Sequence, residues 1–352
     1  MAGLQIGIKN LSRAQQQILS CILGLIALAL FFTVFPLLVS GEQYFFNAGN
    51  LSSVAQQTTV IAIIALGQTY VLITGGIDLS IGSNMALCAM VASMMMIHDP
   101  NQGIHPDLPM FIGLLLGLLT GVAAGAASGA MIAFGNIPPF IATLGTMTIV
   151  RGLALMMTKG YPISMMPESF TALGTGYNFG IANKYDLDMG GYYVPPGIPR
   201  IPNIVVIMVI TIFIFGFILQ KTKWGRHVYA VGSNFEAARL SGVSTRRTIL
   251  MVYMFSGFLA ALAGCLMAAR IYSAAPTAGD GYELDAVASS VIGGTSTMGG
   301  EGTAIGTFIG AFIIGVLRNG LNLIGVNPFV QKIVIGLVIV ASVFLDRVRN
   351  RN

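Results

Sequence analysis

Long apolar runs are the feature that most constrains this chain. The first, Ile18 to Val39, contains about 22 residues, enough for a helix to cross the ~30 Å hydrocarbon core of a bilayer. Similar runs recur along the 352 residues, of which 55% are hydrophobic and only 9% charged. An ordinary soluble domain has about 25% charged residues. We therefore expect an all-α, polytopic membrane protein, without room for a separate soluble domain.

The apolar runs predict about ten transmembrane helices in a single transmembrane domain that covers residues 1–352. The run at 284–297 is short for a full crossing. No small-residue cleavage site follows the first run, so we expect a retained span rather than a signal peptide. The predicted spans are 18–39, 54–75, 80–97, 110–134, 140–158, 203–220, 248–270, 284–297, 304–325 and 328–345.

Lysine and arginine predict the orientation. They collect in the N-terminal segment 1–17, in 221–247 and in the tail 346–352, which fall on one side if there are ten spans. Short cytoplasmic loops keep an excess of these residues, so both termini are expected in the cytoplasm. The longest connection, 159–202, is poor in them and is expected to be periplasmic. It is a candidate contact for an external partner, and a folded-back cap explains it equally well.

Glycine patterns predict how the spans pack. One span has glycine at every fourth residue from Gly113 to Gly129, a stripe that lets a neighbouring backbone approach closely in lipid. We expect this helix to be packed inside the bundle. The repeat Gly302, Gly306 and Gly310 serves packing within the subunit or between two subunits, and the first reading is favoured.

Glycine pairs also interrupt two apolar runs, as TGGIDLSIGSN at 74–84 and IGGTSTMGGEG at 292–302. Irregular backbone at membrane depth needs protein or a water-filled cavity around it, so both breaks are pointers to a translocation path. A tight turn at the membrane surface is the alternative for each. Asp78 and Ser80 have the pattern of a helix start, in which a carboxylate caps the following backbone donors.

Ionisable residues within the spans are few, and those near the centre should face the bundle or water. They are Arg151, Arg270, Asp285, Arg318 and Lys332. The three cysteines lie in apolar runs and are expected to be small buried hydrophobes rather than disulfide or metal ligands. The histidines His98, His105 and His227 are expected to be surface residues, and no metal site is expected.

Motifs for energy conversion or catalysis are missing from the sequence. There is no G-x-x-x-x-G-K-[ST] phosphate loop, so the chain is not expected to hydrolyse ATP. There is also no H-E-x-x-H or G-x-S-x-G, and an intramembrane enzyme or a scaffold is a remote reading. The remaining interpretation is a conduit across the membrane, and the energy for transport must come from an ion gradient or from a partner. The spans contain no chain of carboxylates of the kind a proton-coupled carrier uses.

Residues 233–242 have the pattern of a short polar helix in the cytoplasmic segment. Ser233 is predicted as its N-cap, with Glu236 completing a capping box, and Gly242 as its left-handed stop. A helix of about 12 Å is marginal alone, so it should rest on other structure, through Phe235 and Ala238 on one side. Arg239 is then free to face elsewhere.

The segment NFEAARLSGV resembles the coupling segment of permease subunits of ATP-binding-cassette importers, in their carbohydrate branch. Other segments resemble the ribose-type permease family in the same order, over about residues 50 to 345. They are GGIDLSIGS, PPFIATLGTM, RGLALM, TKWGRHVYAVGSN, SAAPTAGDGYELDAVASSVIGGTS and NGLNLIGVNPF. The segment YNFGIANKYDLDMGGYY has no counterpart that we can place.

This resemblance implies a non-catalytic subunit of the bacterial inner membrane. Two permease copies, expected as a homodimer, would enclose the path, and two cytoplasmic ATPase subunits would bind ATP and magnesium. A periplasmic sugar-binding protein would deliver the substrate. No nucleic acid and no cofactor of this chain's own are expected. Ribose is the favoured sugar, and galactose, xylose, arabinose, inositol and a furanose-like signalling molecule are alternatives. A gradient-driven secondary carrier is a remote alternative.

Two sets of site residues follow from the resemblance and from the glycine breaks, and no catalytic residue is expected. The residues expected to dock on the ATPase are Asn234, Glu236, Ala237, Ala238, Arg239, Ser241 and Gly242. The candidate path residues are Asp78, Ser80, Asn84, Phe140, Thr143, Gly293, Gly294 and Thr295.

Overall fold

The computed structural model describes residues 13–41, 43–98, 106–177 and 201–349. Several residues and segments discussed above therefore lie outside the described residues: most of the N-terminal segment, His105, most of the 159–202 connection and the end of the tail. The described residues are all-α. They contain no β-strand, and their extended pairing is confined to two isolated bridges, Ile163 with Ala274 and Tyr177 with Pro202.

The described helices are numbered here in chain order. They are α1 (Arg13–Ser40), α2 (Ala48–Ile73), α3 (Ile81–Met96), α4 (Met110–Ala133), α5 (Pro139–Met157), α6 (Glu168–Thr175), α7 (Asn203–Lys221), α8 (Lys223–Ser233), α9 (Phe235–Leu240), α10 (Thr245–Ile271), α11 (Tyr282–Ile292), α12 (Ala304–Leu323) and α13 (Pro328–Arg349).

A helix occupies each of the ten predicted spans, with ends mostly within a few residues of the predicted ones. Seven of the described helices are long and apolar enough to cross a membrane: α1, α2, α4, α5, α7, α10 and α12. The apolar helix α3 and the apolar part of α13 are shorter, and α11 has only 11 residues. The part of the chain that the structure describes is thus helical, with seven candidate membrane spans. Ten crossings and cytoplasmic termini stay predictions.

The chain divides into two compact units. One comprises Met1–Gly75, Phe215–Val243 and Leu284–Asn352, and the other Gly76–Ile214 and Ser244–Glu283. We call them the first and the second unit. Each unit draws on separate stretches of sequence, so residues far apart in the chain become neighbours within it.

The glycine stripe on α4 organises the second unit. A β-carbon at Gly121 or Gly125 would overlap a backbone carbonyl oxygen of α10, and one at Gly117 would lie 2.9 Å from the carbonyl oxygen of Cys88 on α3. The stripe therefore allows close backbone packing, as predicted. The expectation that α4 is packed inside the bundle holds for its glycine face only, because its opposite face, with Phe111 and Leu119, is exposed.

In the first unit, α12 packs against α11 through small residues. A β-carbon at Gly306 would overlap the carbonyl oxygen of Gly293, and one at Gly310 would overlap that of Ser289. The repeat thus serves packing within the subunit, which was the favoured reading. Its first member, Gly302, precedes the helix.

Candidate functional site

The polar segment expected to dock on a partner forms two helices, α8 and α9, of which only α9 was predicted. α8 begins at the N-cap Thr222, whose side chain accepts a hydrogen bond from the backbone N–H of Gly225 at 3.1 Å. A β-carbon at Gly225 would overlap the carbonyl oxygen of Leu219, so the turn from α7 into α8 requires glycine there. The α8–α9 element, residues 223–243, therefore leaves α7 by a tight, defined turn.

Aromatic residues attach the start of α8 to α2. The ring of Trp224 stacks on Tyr70 with 5.6 Å between centroids, and the hydroxyl of Tyr70 donates to the backbone carbonyl of Phe215. Stacked pairs of this kind add about 0.5–1.5 kcal/mol beyond the area they bury. Tyr70 lies in the last turn of α2, so α8 and the end of α2 are held together.

The end of α8 makes a second, closer attachment. A β-carbon at Gly232 would overlap the carbonyl oxygen of Ile73, the last residue of α2. That oxygen also accepts a hydrogen bond at 2.8 Å from the N–H of Gly300, which lies in the second glycine break. Three chain segments thus meet at one carbonyl group, and only glycine fits at position 232.

Tyr229 fixes α8 to the same glycine break. Its hydroxyl donates to the carbonyl oxygen of Gly302 at 2.6 Å. Burial raises the pKa of Tyr229 to about 12, so the hydroxyl keeps its proton over the physiological pH range and can serve as this donor. Sequence reasoning missed Tyr229, Trp224 and Gly232, although all three lie in the segment TKWGRHVYAVGSN that carried the resemblance.

The capping of α9 differs from the predicted pattern. The N-cap is Asn234, not Ser233: its side-chain Oδ1 accepts from the N–H of Ala237 at 2.9 Å. The hydroxyl of Ser233 donates instead to the carbonyl of Tyr229 in α8. The predicted capping box is therefore wrong, because Ser233 is already the last residue of α8.

The predicted stop at Gly242 is confirmed. Its φ is +83°, in the left-handed region that favours glycine. The N–H of Gly242 donates to the carbonyl of Arg239 and that of Val243 to the carbonyl of Ala238, both at 3.0 Å. These two bonds form a Schellman motif, which fixes the end of α9.

The surface of α9 is mixed in polarity. Glu236 pairs with Arg239 at 2.7 Å, with both side chains 63% exposed, so Glu236 forms an ion pair and no cap. Leu240, which was not among the predicted docking residues, is 82% exposed. Ala238 is 5% exposed and faces inward, so it can only support the helix. The other predicted docking residues are exposed: Asn234, Glu236, Ala237, Arg239, Ser241 and Gly242.

Several predicted path residues meet in the second unit, at the start of α3. The buried side chain of Asp78 accepts from the N–H of Ser80 at 2.9 Å and from its hydroxyl at 2.6 Å. Its other oxygen accepts from the hydroxyl of Ser256 on α10 at 2.7 Å. Ser80 is the N-cap of α3, but its side chain caps no donor. Asp78 thus joins the break to α10 instead of capping α3.

The remaining path candidates of the second unit are distributed differently. Asn84 is buried in the first turn of α3 and accepts a weak hydrogen bond from the thiol of Cys88. The hydroxyl of Thr143, on α5, lies 3.2 Å from the carbonyl of Ile77 in the first glycine break. Phe140, near the start of α5, has an exposed side chain. A role for any of them in transport stays a prediction.

The path candidates of the first unit lie between α11 and α12. Gly293 is the residue against which Gly306 packs. Gly294 has a φ of +92°, and a β-carbon there would lie 2.6 Å from the side chain of Gln17 on α1. Thr295 is fully buried. This glycine break is therefore packed into its unit at Gly293, Gly294 and Thr295.

One buried ion pair joins α11 to α12. Asp285 is 1% exposed and lies 2.5 Å from the guanidinium of Arg318. A charge in hydrocarbon is costly unless it is paired, so this contact satisfies the expectation that central ionisable residues face the bundle. Nearby, the hydroxyl of Thr69 on α2 hydrogen-bonds those of Ser290 and Thr307. Polar contacts thus link three helices of the first unit.

Cys21, Cys88 and Cys265 are buried and unbridged, which confirms them as small buried hydrophobes.

The described start of the 159–202 connection contains α6, a helix that the sequence did not predict, and α6 packs against α10 through Gly174. Residues 178–200, with most of the segment that had no counterpart, lie outside the described residues.

Apolar helices of crossing length, small-residue packing between them and an attached polar element are the features of a multi-pass membrane protein. The chain matches, over residues 50–343, the family described as "Branched-chain amino acid transport system / permease component". This chain belongs to that permease family, and the family places it in the bacterial inner membrane. No solved structure gives a significant match.

The names of curated relatives specify the sugar that each of those proteins transports. The ribose import permease of Bacillus subtilis (strain 168) is 45% identical over 298 residues, covering 85% of this chain and 84% of that protein. The ribose import permease of Haemophilus influenzae is 41% identical over 306 residues, 86% of each chain. The D-allose transport system permease of Escherichia coli (strain K12) is 35% identical over 305 residues, covering 87% of this chain and 85% of that protein. The resemblance to ribose-type permeases is thus confirmed.

Proposed function

We propose that this chain is the membrane subunit of an ATP-driven importer that carries ribose from the periplasm to the cytoplasm. The relatives named for ribose are 41 and 45% identical to it, whereas the relative named for D-allose is 35% identical. All of them cover most of this chain. The ranking favours ribose over the other monosaccharides considered from the sequence.

The observation that carries the mechanism is the attachment of the α8–α9 element. α9 presents the exposed Glu236, Arg239 and Leu240, while α8 is fastened to the end of α2 and to the second glycine break. A push on α9 would therefore move α2 and this break with it. Such rigid transfer suits a subunit that has no phosphate loop and receives work from another protein.

The proposal assigns the remaining parts to partners. Cytoplasmic ATPase subunits would grip α9 and would hold ATP and magnesium, and this chain would be non-catalytic. A periplasmic sugar-binding protein would deliver ribose, and a second copy of this chain would complete the path. The exposed apolar face of α5, with Phe140 and Ile141, is available for lipid or for that second copy.

Uptake of labelled ribose into proteoliposomes tests the proposal. The chain is reconstituted with its ATPase and binding protein, with ATP inside or outside the vesicles. We expect uptake that depends on ATP on the ATPase side and survives ionophores that collapse sodium and proton gradients. Uptake that ionophores abolish and ATP does not drive would identify a gradient-driven carrier instead. Uptake of xylose or galactose but not ribose would move the proposal to another sugar.

A further inference from the structure

A pocket of about 410 Å³, lined by charged, hydroxyl and apolar side chains, lies within the second unit. This volume is in the roughly 300–1,000 Å³ range of small-molecule sites. Its walls come from the start of α3, the middle of α5 and the segment that joins α10 to α11. The side chains used below are Ser83, Thr148, Arg151, Asp280 and Glu283. One of these residues, Ser83, lies between the predicted path residues Ser80 and Asn84 in the sequence.

Two glycines bring these segments together. A β-carbon at Gly82 would overlap the carbonyl oxygen of Gly279, and one at Gly279 would lie 2.5 Å from the carbonyl oxygen of Gly82. Gly279 and Gly281 also have φ of +73° and +81°, which side chains rarely adopt. The backbone therefore turns sharply against α3 at this point and leaves Asp280 and Glu283 on the wall of the pocket.

Arg151 is fixed in place by backbone rather than by a carboxylate. Its Nη1 donates to the carbonyl of Pro276 at 2.6 Å and to that of Ala278 at 2.9 Å. Its guanidinium has further N–H groups beyond those on Nη1. Among the described residues, neither Asp280 nor Glu283 is in ion-pair contact with Arg151 or with another cation, although both lie on the same pocket. The opposite charges are therefore held apart with space between them.

A hydroxyl group of the pocket adds an acceptor. Ser83 donates its hydroxyl proton to the carbonyl of Ser80 at 2.9 Å. Its oxygen can still accept a hydrogen bond. With two carboxylates the pocket thus offers many acceptors and the donors of one guanidinium, an arrangement that suits a ligand with several hydroxyl groups.

Charge narrows the class of ligand. Two carboxylates disfavour an anion, and the guanidinium of Arg151 opposes a cation placed between them. The described residues also contain no group of three or more His, Cys, Asp or Glu side chains arranged to hold a metal ion. A neutral polyol can donate to Asp280 and Glu283 and accept from Arg151 at the same time. We infer that this pocket is a contact site for a neutral monosaccharide on its way through the protein, an inference that rests on the proposed sugar import.

Thiol labelling beside the pocket tests this inference. The native cysteines are buried, so Thr148→Cys places one reactive thiol on the pocket wall, and Ile149→Cys places one on the same helix outside it. In the assembled complex, ribose should slow maleimide labelling at position 148 about threefold when two thirds of the sites are filled. Labelling at position 149 should not change. Asp280→Asn and Glu283→Gln, each added to Thr148→Cys, should abolish the protection.

The outcomes separate the two proposals. If ribose-loaded binding protein stimulates ATP hydrolysis by the same preparation, but ribose leaves labelling at position 148 unchanged, the pocket is not a sugar site and the proposed function stands. Equal slowing at positions 148 and 149 would indicate a movement of the whole helix and would also overturn the inference. Protection by calcium and not by ribose would make the pocket a cation site. If the ribose-loaded binding protein does not stimulate ATP hydrolysis, the proposed function itself is wrong.

Discussion

Gly232 packs directly against the backbone carbonyl group of Ile73. No β-carbon fits at Gly232, because the carbonyl oxygen of Ile73 occupies its place, and the same oxygen accepts a hydrogen bond from Gly300. The last turn of α8, the end of α2 and the second glycine break therefore share one contact. This contact is where a displacement of α9 would reach the membrane helices.

Substitution Gly232→Ala should therefore weaken both folding and coupling. The added methyl group must displace backbone, which costs about 1–3 kcal/mol in a packed site. Gly145→Ala is the matched control, because nothing lies within 4 Å of its added β-carbon in α5, and alanine should gain about 0.5–1 kcal/mol there. Thermal unfolding in detergent and ribose-dependent ATP hydrolysis measure the two effects. If the two variants unfold at the same temperature and hydrolyse ATP at the same rate, the contact between Gly232 and Ile73 is important neither for stability nor for coupling.

The cap of α9 gives a prediction that separates the structure from the sequence pattern. Asn234→Ala should destabilise α9 by about 1 kcal/mol, since Asn234 satisfies the N–H of Ala237. Ser233→Ala should cost less, because that hydroxyl bonds only to a carbonyl within α8. Hydrogen exchange of the α9 backbone amides in each variant checks the ranking. A larger loss for Ser233→Ala would restore Ser233 as the cap.

Reversal of the charge of Glu236 should impair coupling without unfolding the chain. The exposed pair with Arg239 contributes only about 0.2–1 kcal/mol, so Glu236→Lys should insert and fold normally. It should lower ATP-coupled uptake several-fold, because the docking surface changes by two charges, while Glu236→Gln should lower it less. Wild-type uptake by Glu236→Lys, with the ATPase still bound, would remove Glu236 from the docking surface.

The hydroxyl of Tyr229 should matter in a pH-dependent way. Since burial raises its pKa from 10.0 to about 12, its contribution to stability is full below pH 10 and is lost as the pH rises toward 12. Tyr229→Phe loses the hydrogen bond to Gly302 at every pH and should lower stability by about 0.5–1.5 kcal/mol at neutral pH. Unfolding curves at pH 7 and pH 11 should show a smaller difference between variant and wild type at the higher pH. If wild type and Tyr229→Phe differ in stability by the same amount at both pH values, ionisation of Tyr229 does not contribute to the pH dependence of stability.

Asp78 should act as a structural link between the first glycine break and α10. Asp78→Ala removes the acceptor of three hydrogen bonds and Ser256→Ala removes one donor, so Asp78→Ala should cost more. Loss of a buried acceptor costs about 1–3 kcal/mol. The double variant should be less destabilised than the sum of the single ones, because both remove the same bond. Additive costs in unfolding measurements would show that the two side chains do not interact.

Much of the fold could be predicted because apolar runs of crossing length leave few alternatives. The run from Ile18 to Val39 and the span at 203–220, for example, coincide with helices to within a few residues. The glycine stripe predicted close packing for the same reason: a missing side chain on one face has little other use in lipid. Helices α6 and α8 were missed because both are short and polar, and contacts with other segments hold them in place.

The site could be predicted only in part, because its contacts join distant stretches of sequence. Ser233 and Asn234 are both capping residues, and the pattern could not reveal that α8 already ends at Ser233. The glycine at 232 gives no local signal, since its partner Ile73 lies 159 positions away in the sequence. Arg151 was singled out as an ionisable residue in a span, but its neighbours Asp280 and Glu283 depend on how the segment after α10 folds back.

The most direct test of the account is ATP hydrolysis by the purified complex of this chain with its ATPase. The rate is measured with the binding protein loaded with ribose, xylose or galactose, or free of sugar. We predict that the ribose-loaded protein stimulates hydrolysis several-fold over the sugar-free protein and more than the other sugars do, and that Gly232→Ala reduces this stimulation. Equal rates with every form of the binding protein would contradict the account.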